Sequence, residues 1–507
     1  MILAIKRAVI VILGVLLQFG FEIITVLLFS EYIAIINIIY RLISVLIVLA
    51  IIKYSTRISN YLPWIILILI FPIFGTVLLI TLGRSYSKNK LFKNILQKES
   101  EYEKFYIQDE TIKKEIESKN LDELKYIMNH AKYPISKNNE ITYYKCGEEF
   151  FPELLKELKK AKKFIFMEYF IINKGTMWNQ ILDILKEKAS EGIDIRVMYD
   201  DMGSIAMLPD NYGNELEKYG IKCILFNKLS PFRGIFMNNR DHRKMTIIDG
   251  KVAFSGGVNI SDEYINLTHP HGYWKDNGIK IIGDAIWNLT IMFLTMWNAN
   301  IDEDKDITKF KYQFPKNKDL GYVSAYGSAP LHKDIIGEDI YLNMINGAKK
   351  YLYILTPYLI IDTDVINSLT RAAKRGVDVA IVVPGIPDKK IVYFMSSSYF
   401  EILINAGVKI YTYTPGFVHS KVFVCDDIKA TVGTLNLDYR SLYLHFENGI
   451  YLENHKEITK IKEDVVNTIT SSHQVTKMEA KPNFFKSILQ AILRIIAPMF
   501  NIFPYYL

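Results

Sequence analysis

At 507 residues the chain is too long for one ordinary domain and has room for two or three. Half of it is hydrophobic and the net charge is +7, but the apolar residues crowd into the first 85 positions and the remainder reads like a soluble enzyme. Three scattered cysteines, Cys146, Cys223 and Cys425, exclude a disulfide framework and a zinc site and fit a reducing compartment. No Walker loop or dinucleotide fingerprint is present.

The first region, residues 1–85, is expected to be transmembrane. Three stretches, Val9–Phe29, Tyr32–Ile52 and Leu62–Leu82, match the roughly 20 apolar residues that cross a bilayer. The first carries Glu22 and the second Arg41, which suggests pairing across a hairpin at Ser30–Glu31, or one shallow, re-entrant stretch. Tyr61 and Trp64 stand where an interfacial aromatic belt would lie. Lys6 and Arg7 resemble the start of a signal peptide, yet no small-x-small cleavage site follows, so an anchor is expected. The basic cluster Arg84, Lys88, Lys90 and Lys93 places the following domains on the cytoplasmic side of the cell membrane and suits anionic lipid. Residues 86–140 are Lys- and Glu-rich and read as a solvated helical connector.

From Ile141 onward short β-rich runs alternate with helical patterns, and the pattern occurs twice. Phe164–Ile172, Thr176–Ser190 and Ile193–Tyr199 read strand, helix, strand; so do Tyr351–Leu359, Asp362–Lys374 and Val377–Val383. Ala161-Lys162-Lys163 precedes one set and Ala348-Lys349-Lys350 the other. Further on, His242-x-Lys244, Asp249 and Gly256-Gly257-Val258-Asn259 are matched by His419-x-Lys421, Asp426 and Gly433-Thr434-Leu435-Asn436. The offset is 177 at the histidines (419 − 242) and at the asparagines (436 − 259). Asp276-Asn277-Gly278 and Glu447-Asn448-Gly449 follow. Conserved order, spacing and residue type indicate a duplicated α/β domain, with halves at 141–320 and 321–475.

On a strand, residues i and i+2 share a face, so each half offers an imidazole beside an ammonium. That pair suits a phosphate: the imidazole attacks phosphorus or moves a proton, and the lysine meets the non-bridging oxygens. Asn259 and Asn436 add donors, and Gly257 and Thr434 lie where an oxygen approaches the backbone. Two half-sites joined at a pseudo-twofold supply two histidines, one forming a covalent phosphohistidine and the other working as general acid and base. No metal or cofactor is required. Asp276 and Glu447 are candidates to fix the imidazole tautomers. Asp249 and Asp426 complete the motif set; each adjoins a turn and reads as structural. His445 stands near Glu447 and is a candidate to line the site. His269 and His271 read as surface, and His130, His332, His455 and His473 as structural or solvated.

The paired H-x-K-x4-D motifs resemble the phospholipase D superfamily over roughly Ile141 to Ser472. Asn239-Arg240-Asp241-His242-Arg243-Lys244, the run from Gly433 to Ser441, Phe446-Glu447, and Trp64, Pro72 and Gly75 resemble bacterial cardiolipin synthases. The chain departs from their usual Asn at Asp241 and at His445. The resemblance implies two pseudo-symmetric domains, each a mixed sheet flanked by helices, behind a multi-pass membrane region. It implies metal-independent phosphatidyl transfer between two phosphatidylglycerol molecules, with His242 as nucleophile and His419 as general acid/base. Water, serine or ethanolamine as acceptor would use the same residues. A superfamily nuclease would need a basic groove with stacking aromatics and gives no reason for membrane spans, so no nucleic acid is expected. An inactive scaffold would have lost a His or Lys, and both sets are complete.

Residues 476–507 form the last segment. Phe485, Ile488, Leu489, Ile492 and Ile496 fall on one helical face, fitting an interfacial helix or one packed on the protein.

Overall fold

The computed structural model describes residues 16–24, 27, 32–54, 61–82, 90–228, 239–315 and 319–500. The chain forms two compact units: Met1–Asn89 with Leu229–Asn238 and Phe484–Leu507, and Lys90–Lys228 with Asn239–Asn483.

In the first unit, α1 (Ile33–Tyr54) has 22 residues, about 33 Å at 1.5 Å each, enough to cross roughly 30 Å of hydrocarbon. Its mean hydropathy is 2.6 over Ala34–Tyr54, and Ile35, Ile38, Ile39, Leu42 and Leu46 are exposed. It alone among the described residues has the length and composition of a span. The expected third span is broken at Phe71 into α2 (Leu62–Ile70) and α3 (Pro72–Leu82). Pro72 has no N–H and cannot continue a helix from the preceding turn. Gly75 lets α3 fold back on α2, for a Cβ there would meet the Ile68 nitrogen at 2.8 Å. Each piece reaches only about half the bilayer. Trp64, expected in an aromatic belt, is buried.

Of the expected first span, residues 16–24 and 27 are helical and the remainder lies outside the described residues. Gln18 Nε2 donates to Glu22 Oε1 and to Tyr40 Oη of α1, each at 2.6 Å, and Gln18 Oε1 accepts from Phe74 N at 3.5 Å. The carboxylate expected to seek Arg41 is thus held by an amide. The C-terminal helix Phe484–Phe500 packs on α2 and leaves Phe484, Phe485, Ile488 and Leu489 exposed, uniting the two expected alternatives.

The second unit begins earlier than expected. The supposed connector contains α4 (Lys90–Tyr102), whose Phe92 and Ile95 are fully buried, as are Ile116, Leu124 and Ile127 further on. Apolar residues three apart give this charged stretch an inner face, and the connector belongs to the folded unit.

The two halves then repeat one topology. The first half has β1 (Asn139–Tyr144), α5 (Gly147–Leu158), β2 (Phe164–Tyr169), α6 (Thr176–Ser190), β3 (Asp194–Asp200), β4 (Lys222–Phe226), β5 (Lys244–Ile248), β6 (Val252–Gly256), β7 (Tyr273–Lys275), β8 (Gly278–Gly283) and α7 (Ile286–Asn300). The second has β9 (Tyr322–Ser328), α8 (Ile336–Gly347), β10 (Tyr351–Leu355), β11 (Leu359–Ile360), α9 (Thr363–Lys374), β12 (Asp378–Pro384), β13 (Lys409–Tyr413), β14 (Gly416–Val418), β15 (Val422–Cys425), β16 (Lys429–Gly433), β17 (Leu437–Asp438), α10 (Tyr439–Tyr443), β18 (Glu447–Glu453), α11 (Ile458–Thr470) and β19 (Ser472–Gln474).

The sheet orders β1-β8-β6-β5-β2-β3-β4 and β9-β18-β16-β15-β10-β12-β13-β19 are the same, with one added edge strand. In each, the first three strands of the α/β repeat are parallel and the motif strands return antiparallel. β2 and β10 are mostly apolar runs because both faces are covered, and the one charged residue among them, Glu168 of β2, is buried with the rest. α7 is apolar almost all round and nearly every residue of it is buried, since it touches β5, β6 and β8 of its own half and β9 of the other.

Candidate active site

Each motif histidine sits at the entrance to a central strand: His242 two residues before β5, His419 three before β15. The expected strand thus begins at or just after the lysine. Both side chains are nonetheless fixed, because each lysine folds back on its own motif. Lys244 Nζ donates to the His242 carbonyl at 2.7 Å, and Lys421 Nζ donates to that of His419.

The halves interlock through these entrances. β14, which leads into His419, pairs in parallel with β7, which leads into Asp276. Asp241 bridges Phe446 in the same sense, just before His242 and Glu447. The amides of His242 and His419 reach carbonyls of the opposite half, Phe446 at 2.9 Å and Lys275 at 2.7 Å. Each imidazole therefore meets the carboxyl of the other half. His242 Nδ1 lies 2.9 Å from Glu447 Oε2, and His419 Nδ1 lies 2.6 Å from Asp276 Oδ2. The sequence nominated both carboxyls; the crosswise pairing is a product of the fold. With Nδ1 occupied, each ring has Nε2 left for chemistry.

The glycine-rich turns build the seam. A Cβ at Gly257 would sit 2.0 Å from Asp276 Oδ1, so only glycine leaves room for that carboxylate. The Gly257 and Thr434 amides donate to the Asn277 and Asn448 carbonyls, at 3.0 and 2.9 Å, and the Thr434 hydroxyl takes the Asn448 N–H at 2.9 Å. Asn448 reaches across to donate to Ser255 Oγ at 2.7 Å. Asn259 accepts from Ile171 N at 3.1 Å and donates to Tyr264 Oη at 2.7 Å, whereas Asn436 Oδ1 is buried without a hydrogen-bond partner. Asp249 accepts from the amides of Lys162, Lys163 and Phe164, and Asp426 from those of Lys349, Lys350 and Tyr351, all at 2.7–3.0 Å. The motif aspartates are thus staples from the β5–β6 and β15–β16 turns to the starts of β2 and β10, and the recurring Ala-Lys-Lys is their docking point.

Burial and the crowd of cations set the protonation states. Burial, Lys244, His445, Lys421 and His419 hold His242 well below the usual imidazole range. Burial and Lys421 bring His419 down to about 4, against the opposing pull of Asp276. Burial lowers Lys244 to about 8 and Lys421 to about 7, despite both carboxyls. Burial alone would raise Asp276, but His419, Lys421 and the Asn277 N–H outweigh it and hold the carboxylate below its ordinary range. Glu447 is pushed well above its ordinary range by burial, which Lys244 offsets only in part. The centre is short of negative charge, and an anionic phosphodiester would restore the balance.

Beside His445, which the sequence offers as a candidate to line the site, stand neighbours that it does not nominate. Trp274 packs on His419 and His445 on His242, both with ring centroids 5.4 Å apart. Phe170 stands edge-on to His242 at 4.9 Å. Arg240 pairs with buried Asp200 at 2.8 Å, and Asp200 also accepts from Asp241 N at 3.0 Å. The one sequence signal for Trp274 was its place in the repeat: the offset from Asp276 to Glu447 is 171, as is that from Trp274 to His445. His242, His445 and Glu447 bring donor atoms within 4.8 Å of one another, a spacing that could admit a metal ion. Lys244, Arg240 and Arg440 face His445, and their charge opposes a divalent cation there. Of the other histidines, His332 lies 2.9 Å from Glu99 and His455 lies 3.2 Å from the Asn139 carbonyl, while His269 is exposed.

Comparison with known proteins follows the same lines. The family described as "Cardiolipin synthase, PLD-like domain" matches residues 154–277 and 341–468. A cardiolipin synthase of Alkalihalophilus pseudofirmus is 34% identical over 451 residues, 87% of this chain and 89% of that one. Cardiolipin synthase 2 of Staphylococcus aureus strain COL is 32% identical, covering 86% and 90%. An uncharacterized protein of Streptococcus mutans is 42% identical, covering 87% and 96%. In fold, the chain is similar to the crystal structure of a phosphatidylserine synthase from Haemophilus influenzae, with a TM-score of 0.56, 15% identity, and 74% and 98% of the chains covered.

Proposed function

The chain belongs to the cardiolipin synthase family and is a phosphatidyltransferase, and from that premise we propose that it joins two phosphatidylglycerol molecules into cardiolipin, releasing glycerol, through a phosphohistidine. The observation that carries this reading is the reciprocal pair of imidazole–carboxyl contacts, His242–Glu447 and His419–Asp276, flanked by Lys244 and Lys421. In the first displacement Nε2 of His242 bonds to phosphorus as the phosphorus–oxygen bond to glycerol breaks. His419 gives its proton to the departing oxygen. The ring nitrogen of His419 then takes a proton from the hydroxyl of a second phosphatidylglycerol, which attacks the phosphohistidine and frees His242.

The role of each imidazole follows from its partner. Asp276 is ionised, and a carboxylate at 2.6 Å favours a protonated ring when substrate phosphate adds its own negative charge. His242 has no such ionised partner at rest and stays neutral, as a nucleophile must. Lys244 and Lys421 supply charge to the non-bridging oxygens. Asn436, with its oxygen unpartnered, is the asparagine nearer to serving the substrate, while Asn259, Gly257 and Thr434 shape the site. The exposed apolar faces of α1 and of Phe484–Phe500 support placement at a membrane, with anionic lipid as the surrounding surface.

The test is expression in membranes that contain phosphatidylglycerol, with lipid products resolved. Cardiolipin and glycerol accumulate with the unaltered chain, with or without a chelator, and fail to form with His242→Ala or His419→Ala. Phosphatidic acid or another phosphatidyl ester in place of cardiolipin would assign a different acceptor. Full turnover by His242→Ala would sink the covalent role.

A further inference from the structure

The pseudo-twofold places an indole behind one imidazole and a third imidazole behind the other. Trp274 lies against His419 and His445 against His242, with ring centroids 5.4 Å apart in both and interplanar angles of 41° and 39°. His445 is 2% exposed, and neither of its ring nitrogens has a hydrogen-bond partner. A buried imidazole with two unpartnered nitrogens is costly and calls for a reason. Its Nδ1 lies 3.7 Å from Glu447 Oε1, the oxygen of that carboxyl that lacks a hydrogen-bond partner. Glu447 is therefore flanked: His242 at Oε2, at 2.9 Å, and His445 at Oε1. The corresponding carboxylate, Asp276, has its second oxygen on the Asn277 amide at 2.8 Å.

We infer that His445 is a positioning residue that takes the proton of Glu447 when His242 becomes a phosphohistidine, so that an ionised carboxylate backs the charged ring. This rests on the phosphohistidine reading above. As the phosphorus–nitrogen bond forms at Nε2, the His242 ring keeps its Nδ1–H and becomes cationic. The proton of Glu447 passes from Oε1 to Nδ1 of His445, leaving a carboxylate between two positive rings. It returns when the acceptor alcohol breaks the phosphorus–nitrogen bond, so charge and protons balance over the cycle. The transfer requires the 3.7 Å gap to close by about 0.8 Å to ordinary hydrogen-bond distance.

The resting state has the proton on the correct side. Burial pushes Glu447 well above the ordinary carboxyl range and holds His445 well below the ordinary imidazole range, so both favour their uncharged forms. Facing the array are Lys244 and Lys421 from the two motifs, Arg240 from the approach to β5, and Arg440 and Asp438 at the start of α10. Their net positive field opposes a further proton on His445 until substrate phosphate arrives to offset it.

The experiment measures the burst of aryl alcohol released from a soluble aryl phosphodiester, with the full chain, from pH 6 to 9. In His445→Asn the proton on Glu447 has no nearby acceptor, so the covalent step must wait for Glu447 to ionise beforehand. At pH 6.5 the burst slows on the order of 10–100-fold, with KM within about threefold. Because a raised carboxyl loses its proton as pH rises, the defect shrinks as pH rises. His445→Trp, which copies the other half, behaves the same way. A defect of equal size at every pH, or none, overturns the inference. If neither variant folds, infrared difference spectra of the unaltered chain decide. Loss of a protonated-carboxyl band on forming the intermediate, absent in Glu447→Gln, supports the relay, and an unchanged band overturns it. A normal burst in a chain that makes no cardiolipin counts against phosphatidylglycerol as acceptor and leaves the relay standing.

Discussion

The two halves of the catalytic unit share a sheet order, a motif and a crosswise contact, yet they back their imidazoles differently. His419 rests on Asp276, a carboxyl held below its ordinary range, beside an indole; His242 rests on Glu447, a carboxyl that burial pushes well above its ordinary range, beside a second imidazole. Duplication supplies the geometry twice over. The halves differ by a few substitutions laid on that common frame: Asp against Glu, Trp274 against His445, Gly257 against Thr434; the distinct roles proposed for the two imidazoles would rest on them.

The sharpest way to break this comparison is to change the leaving group. If His419 serves as the acid, His419→Ala loses on the order of 10³-fold in the burst with phosphatidylglycerol. With a p-nitrophenyl phosphodiester, whose leaving group needs no proton, the loss falls below about tenfold. His242→Ala is inactive with both. A reversed pattern in rapid-quench measurements would exchange the two roles and leave the frame intact.

A smaller contrast concerns the carboxyls. Asp276→Asn keeps the shape of the side chain but removes a charge that is present at rest, so it slows turnover on the order of 10²–10³-fold across neutral pH. Glu447→Gln removes a charge that develops only during the reaction and keeps an oxygen for His242 Nδ1–H. It slows turnover by only about 10–100-fold. Steady-state rates for the pair, measured side by side, test the ordering. Equal losses would mean that the two carboxyls play the same part.

Much of this was legible in the sequence, for identifiable reasons. The candidate histidine–lysine pairs were visible because a repeat holds residue type and spacing together, which chance does not. Helix Thr176–Ser190 was readable to the residue, and Asp362 caps its counterpart through Val365 N at 3.0 Å, as a helix start should look. What stayed hidden depended on partners distant in sequence. Which carboxyl meets which imidazole is decided by the β7–β14 ribbon, a pairing between segments more than a hundred residues apart. The break at Phe71 was hidden because Leu62–Leu82 has the length and hydropathy of a span. Pro72 and Gly75 show their effect only once α3 packs back on α2. The connector looked solvated because its charges outnumber the apolar residues that dock it.

The smallest expected effect separates the halves by stability alone. Asp249 and Asp426 each gather three backbone amides, but Asp249 is buried, and Phe164 behind it packs in an aromatic cluster with Phe166 and Phe310. Asp426 is half-buried and its Lys349 and Lys350 contacts are open to water. An amide in place of either carboxylate keeps one acceptor oxygen and turns the other toward the backbone as a donor. Asp249→Asn should therefore lower unfolding stability by about 1–3 kcal/mol, since charged hydrogen bonds are lost where water cannot replace them. Asp426→Asn should cost less than about 1 kcal/mol, because solvent takes over. Neither staple touches the imidazoles, so thermal melts should separate the two variants while their kcat at low temperature stays within about threefold of the unaltered chain. A large loss of kcat with an unchanged melt would return both aspartates to the chemistry.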